Sequence, residues 1–212
     1  MIDIDTQVNA IHREVGTRSA ESGEVVSVLL RREYRASAAD VWDAVTDPER
    51  VKRWFMPVSG DLREGGNFQL EGNAGGRILR CDPPRLLRAT FGGETSIVEL
   101  RITPDGEDAT TFELEHTVPI EMAGSGTGAL YVGPGWDCAL MALGLFLDGI
   151  VTEDPVAAAS SPEAQAFSRE SVQAWTAAIE ASGMAQPEEI AAAVEASLAQ
   201  FAPDAGGAAE QN

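Results

Sequence analysis

The sequence predicts an α+β fold in which a curved antiparallel sheet wraps around one long helix. Three observations carry this expectation: five consecutive short strands punctuated by Gly and Pro, a helical segment at 133–149 that is apolar nearly all round, and two short helices placed between a first strand and the other five. A helix without a polar face has to be buried on most sides, and a curved sheet can bury it.

Residues 1–22 are polar and mixed, which predicts an irregular lead-in with one helical turn. "VVSVLLRREYRA" (25–36) is β-rich, with Val26, Val28, Leu30 and Tyr34 on one face and Arg32 the misfit. In the next stretch Ser37 and Asp40 have the spacing of a capping box, and Asp47-Pro48 restarts the helix with a cap and a proline at the first turn. Val51, Trp54 and Phe55 then fall at i, i+3 and i+4, so both aromatics share an apolar face. "NFQLE", "RILRC", "RLLRATF", "SIVELRIT" and "TFELEHT" read as strands, with "EGNAGG", "DPP" and "TPDGED" as turns. Alternation turns Phe68, Leu70, Val98, Leu100, Phe112, Leu114 and His116 inward and Glu113 and Glu115 outward.

After residue 150 the chain becomes alanine-rich and loses strand pattern. Ser160 and Glu163 read as a capping box around Pro162, and a helical face of Phe167, Ser171, Trp175, Ala178 and Ile179 runs to Gly183. Pro187 opens a second helix striped with Ile190, Val194, Leu198 and Phe201. The expected organisation is a lead-in (1–22), a main domain (23–150), a helical hairpin packed on it (151–202) and a disordered tail (203–212).

The formal net charge is −19; residues 151–212 hold one basic residue against ten acidic ones. An acidic surface repels phosphate backbones and anionic membranes, which argues against nucleic acid as a partner. The longest apolar run, Cys138 to Leu147, is ten residues, short of the roughly 20 that span a bilayer. No membrane insertion is expected, and two distant cysteines with no signal-peptide core point to the cytoplasm. Cys81 and Cys138 match no zinc spacing, and the chain lacks GxSxG and HExxH, so neither metal nor cofactor is expected. "GSGTG" (124–128) lacks dinucleotide-loop spacing and reads as a flexible gate. Of the two histidines, His12 sits in the polar lead-in. His116, at an inner strand end, is the one candidate acid/base, with Glu121 as its nearest imaginable partner.

"RREYRASAADVWDAVTDPERVKRWF", "GGNFQLE", "GGRILRCDPPRLLRATF", "FELEHT" and "GPGWDCALMALGLFLDG" together resemble the activator-of-Hsp90-ATPase-like family of the START-like (SRPBCC) superfamily. The resemblance covers Val25 to Gly149. It implies a helix-grip fold with a large cavity between the long helix and the concave sheet face, closed by Trp54, Phe55 and Trp136, with Leu140 on the helix side. It also implies binding of a small hydrophobic or aromatic molecule, a binder before an enzyme. The alternatives are a cyclase- or dehydratase-type enzyme using His116, and a chaperone-interacting or structural protein whose cavity is filled. Residues 1–22 carry no match to the Asn- and Trp-rich stimulatory motif of eukaryotic Hsp90 activators, so the resemblance speaks for fold more than for chaperone activation.

Overall fold

The structure, a computed structural model, describes residues 2–20 and 23–206. In chain order the elements are α1 (Ile4–Asn9), β1 (Ile11–Ala20), β2 (Gly23–Tyr34), α2 (Ala38–Thr46), α3 (Pro48–Val51), β3 (Val58–Gly60), β4 (Asn67–Leu70), β5 (Gly75–Asp82), β6 (Leu86–Thr90), β7 (Ile97–Pro104), β8 (Thr110–Pro119), α4 (Ile120–Ala123), α5 (Ala129–Leu147), α6 (Pro155–Ala158), α7 (Pro162–Ser182) and α8 (Pro187–Phe201), with 3-10 turns at Gly126–Gly128 and Pro203–Gly206. The strands form one antiparallel sheet in the order β1-β2-β8-β7-β6-β5-β4-β3. The expected α+β architecture is the observed one.

Residues 2–20 depart from the irregular lead-in expected over 1–22, of which residues 1, 21 and 22 lie outside the described residues. Asp3 caps α1, and β1 pairs with β2 along its whole length, with Val15 opposite Val28. Its inward positions are Ile11, Arg13 and Val15, so a charged residue interrupts the apolar alternation. The counter-charge, Asp137, lies on α5, where no local pattern reveals it.

Caps set the helices as their chemistry requires. The Ser37 hydroxyl accepts from the Asp40 N–H, and Asp47 accepts from the Glu49 N–H ahead of Pro48. Ser161, not Ser160, caps α7, because Pro162 occupies its first turn. Gly183, at φ 68°, closes α7 in the left-handed region.

Helix α5 lies against the concave face, carrying Leu130, Leu140 and Leu143 into a core shared with Leu30, Phe112 and Leu114. A 22-residue stretch, Gly126–Leu147, has the length and mean hydropathy (1.4) of a membrane span, and is longer than the apolar run suggested; half of its apolar window is buried in the protein, as befits a gripped core helix. The hairpin α7–α8 covers its other side. Trp175 is fully buried over Gly133, where a Cβ would stand 2.4 Å from the indole. Ser197 donates to the Leu130 carbonyl at 2.7 Å. Residues 203–206, expected to be disordered, fold back instead: Asp204 and Gln165 exchange two hydrogen bonds of 2.9 and 3.0 Å. The rest of the expected tail, 207–212, lies outside the described residues.

Candidate functional site

His116 sits on β8 between Val28 of β2 and Val98 of β7, which aims its ring at the concave face. Trp136 reaches down from α5, and its Nε1–H donates to His116 Nδ1 at 3.1 Å. Ser96 Oγ lies 2.8 Å from His116 Nε2. Phe91 stands edge-on to the imidazole with centroids 6.0 Å apart and is 5.1 Å from Trp136, while Phe68 is 6.4 Å from Phe91. Phe68, Phe91, Ser96 and Trp136 are half-buried and His116 is buried. The result is a continuous aromatic surface around one polar centre.

Burial pushes the imidazole pKa down to about 4, so the ring is neutral at physiological pH. An indole N–H only donates, which makes Nδ1 the acceptor and, from the hydrogen-bond network, assigns the proton to Nε2. Both ring nitrogens are occupied by protein groups. A general-base role would have to break one of these bonds. Glu121, the imagined carboxylate partner, is exposed and makes no hydrogen bond to His116.

The sequence-selected residues divide into groups. Val98, His116, Trp136 and Phe68 belong to the cluster. Leu100 pairs with Leu114 one step along the sheet. Phe112, Leu114, Leu140 and Leu70 are packed core, with Phe112 6.0 Å from Tyr34 and the Leu140 carbonyl accepting from the Tyr34 hydroxyl at 2.9 Å. Trp54 and Phe55 stack on each other at 5.4 Å, and the Trp54 N–H donates to the Ala44 carbonyl at 2.9 Å, so this pair braces α2 against α3. Phe91 and Ser96 went unselected, although period two from Ala89 and from Val98 places both on the inward face.

A crevice of about 40 Å³ lies beside His116, bounded by Val26, Val28, Val118, Gly128 and Val132. Trp136, held on His116, occupies part of the space between helix and sheet where the resemblance places a large cavity. The "GSGTG" turn is pinned, not an open gate: Gly126 is buried, donates to the Met184 carbonyl at 3.1 Å, and would carry a Cβ 2.9 Å from Met184. A larger groove of about 370 Å³ runs between α7 and α8 along Val172, Thr176, Ala177, Val194 and Leu198, with Arg169 and Glu180 beside it. It is an open valley between helices and shares no residue with the His116 cluster. Among the described residues no group of His, Cys, Asp and Glu could hold a metal ion.

A second polar cluster begins one residue along α5. Asp137 is wholly buried; its Oδ2 accepts from Arg13 Nε at 2.8 Å, from Trp175 Nε1 at 3.0 Å and from the Ser171 hydroxyl, while Oδ1 has no partner. Burial pushes the carboxyl pKa up to about 6, against the opposing pull of Arg13, the Ser171 hydroxyl and the Trp175 indole.

An antiparallel sheet closed on a single long helix, with its concave face lined by alternate strand residues, defines a helix-grip protein. Residues 35–147 match the family model for activator of Hsp90 ATPase homolog 1-like proteins, and the chain belongs to that family. The crystal structure of CalU16 from Micromonospora echinospora is 44% identical, with a TM-score of 0.66, covering 80% of this chain and 98% of CalU16. Its solution NMR structure gives 42% identity and a TM-score of 0.69 over 81% of this chain and 96% of that one. EF2215, a conserved protein of unknown function from Enterococcus faecalis, shares the fold at 14% identity, with a TM-score of 0.56 over 82% of this chain and 95% of its own. No curated protein matches the chain.

Proposed function

We propose that the protein binds a small apolar or aromatic molecule on the concave face of the sheet, against the cluster around His116. One observation carries this reading: Phe68, Phe91 and Trp136 form a connected set of rings that stay half-buried beside a neutral, fully engaged histidine. Aromatic faces left partly open on a concave surface offer stacking area to a planar ligand at low ordering cost. The ligand lies on these open faces, and the 40 Å³ crevice adjoins them at His116. The free thiols of Cys81 and Cys138 suit a reducing, cytoplasmic setting.

The small volume of that crevice favours a second reading, a helix-grip whose interior is filled by its own side chains. Titration with naphthalene, followed by NMR on the ring protons of His116, separates the two. Ligand binding gives a saturable shift, weakened about tenfold or more by Trp136→Ala and unchanged by Trp54→Ala, whose indole is tied to Ala44. Absence of any saturable shift leaves the filled interior.

A further inference from the structure

We propose that Ser96 selects the ligand of this site, favouring aromatic molecules that carry a hydrogen-bond acceptor, such as an aryl ketone oxygen, over plain aromatic hydrocarbons. This inference rests on the binding reading above.

The direction of each hydrogen bond follows from the first. Trp136 Nε1–H can only donate, so His116 Nδ1 accepts and cannot carry the proton of the neutral ring. That proton is on Nε2, and the 2.8 Å contact to Ser96 is therefore an N–H donation into the hydroxyl oxygen. The opposite polarity would set a protonated Nδ1 against the indole N–H, two donors face to face. Ser96 Oγ thus accepts from the imidazole, and its own hydrogen points elsewhere. Among the described residues no acceptor takes it. Ser96 is half-buried at the mouth of β7, fixed there by the Phe91 N–H donating to its carbonyl at 2.8 Å. The chain of donors runs from Trp136 through His116 to Ser96 and leaves the Ser96 O–H able to donate to a ligand beside the aromatic rings. A polarised chain strengthens its terminal donor. A ligand lacking an acceptor covers that hydroxyl and leaves it unmatched.

The experiment compares 1-tetralone with tetralin, which share a bicyclic frame, by NMR titration of the full chain. The ketone should bind about 5–10-fold more tightly. Ser96→Ala should abolish the difference between the two ligands, and Ser96→Thr, which keeps the hydroxyl, should retain it. Equal binding of the two by the unaltered protein, or a preference that survives Ser96→Ala, overturns the selection but leaves binding intact. Binding of neither overturns the binding reading and the selection together. Independently of any ligand, nitrogen-15 NMR of the imidazole should find His116 protonated at Nε2; protonation at Nδ1 overturns the donor chain.

Discussion

Trp136 and Asp137 are neighbours on α5, yet they feed two polar clusters of opposite character. Trp136 turns to the sheet and meets His116 and Ser96, all uncharged, with the outer members half-open. Asp137 turns to β1 and α7 and meets Arg13, Ser171 and Trp175, in a charged cluster closed to solvent. A helix advances about 100° per residue, so adjacent positions can serve different partners. The closed cluster ties three elements together and offers nothing to a ligand. The open one consumes the nitrogens of its histidine but leaves a hydroxyl proton and three aromatic faces available. Burial of a polar group is thus a poor guide to function; the useful question is whether any donor or acceptor remains directed outward.

The sharpest way to break this comparison is Asp137→Ala. It leaves the Arg13 guanidinium buried without a counter-charge and should cost about 3–5 kcal/mol in urea unfolding. Replacing both partners, Arg13→Met with Asp137→Leu, should recover most of that loss, since an apolar pair of similar size avoids the desolvation cost. A loss under about 1 kcal/mol for Asp137→Ala would show that the cluster does not hold the hairpin to the grip.

Acidification should pull the two clusters in opposite directions. His116 is held at about 4 against an ordinary 6.5, so its contribution is complete above pH 6.5 and is lost as pH falls through about 4. Asp137 is held at about 6 against an ordinary 3.8, so its contribution is complete below pH 3.8 and is lost as pH rises through about 6. Between these limits the slopes oppose, so the two groups together should add little net slope to the stability profile from pH 4 to 6. Asp137→Asn exposes the histidine dependence, a fall of about 2–3 kcal/mol on going from pH 7 to 4. His116→Phe exposes the reverse, a rise of similar size. Parallel profiles for the two variants would contradict the opposed assignment.

The same contrast explains what could be read from the sequence. The gripped helix, the alternating strands and the hairpin rest on local periodicity, and they were legible. β1 was not, because Arg13 interrupts its inward face and its partner lies on α5. His116 was found by alternation in "TFELEHT". The same period of two from Val98 places Ser96 inward as well, and only its polarity sets it apart from the apolar lining. The stripe of Val51, Trp54 and Phe55 carries no sign of where an indole N–H will go; here it goes to Ala44. The glycines of "GSGTG" suggested freedom, whereas Gly126 is required by close approach to Met184.

The smallest expected effect concerns the other inward-facing arginine. Arg32 lies on β2 beside Ile11 and Phe112, 8% exposed, with Nη2 donating to Gln7 Oε1 at 2.7 Å and its guanidinium 5.4 Å from the Tyr34 ring centroid. Nε and Nη1 are buried with no partner, and no carboxylate pairs with it among the described residues. It rests against Gly144, in the last turns of α5, where carbonyl ends carry partial negative charge. Arg32→Met loses one hydrogen bond and a cation–π contact but also removes a desolvated charge with two unmade bonds, terms of about 1–2 kcal/mol each and of opposite sign. The net change should stay within about 1 kcal/mol, whereas Arg13→Met, which strands the Asp137 carboxylate, should cost about 3–5 kcal/mol. Urea melts of the two variants side by side make the test. If Arg32→Met proves as costly as Arg13→Met, then pairing with a buried carboxylate is not what distinguishes these two arginines, and the account of the closed cluster given above loses its physical basis.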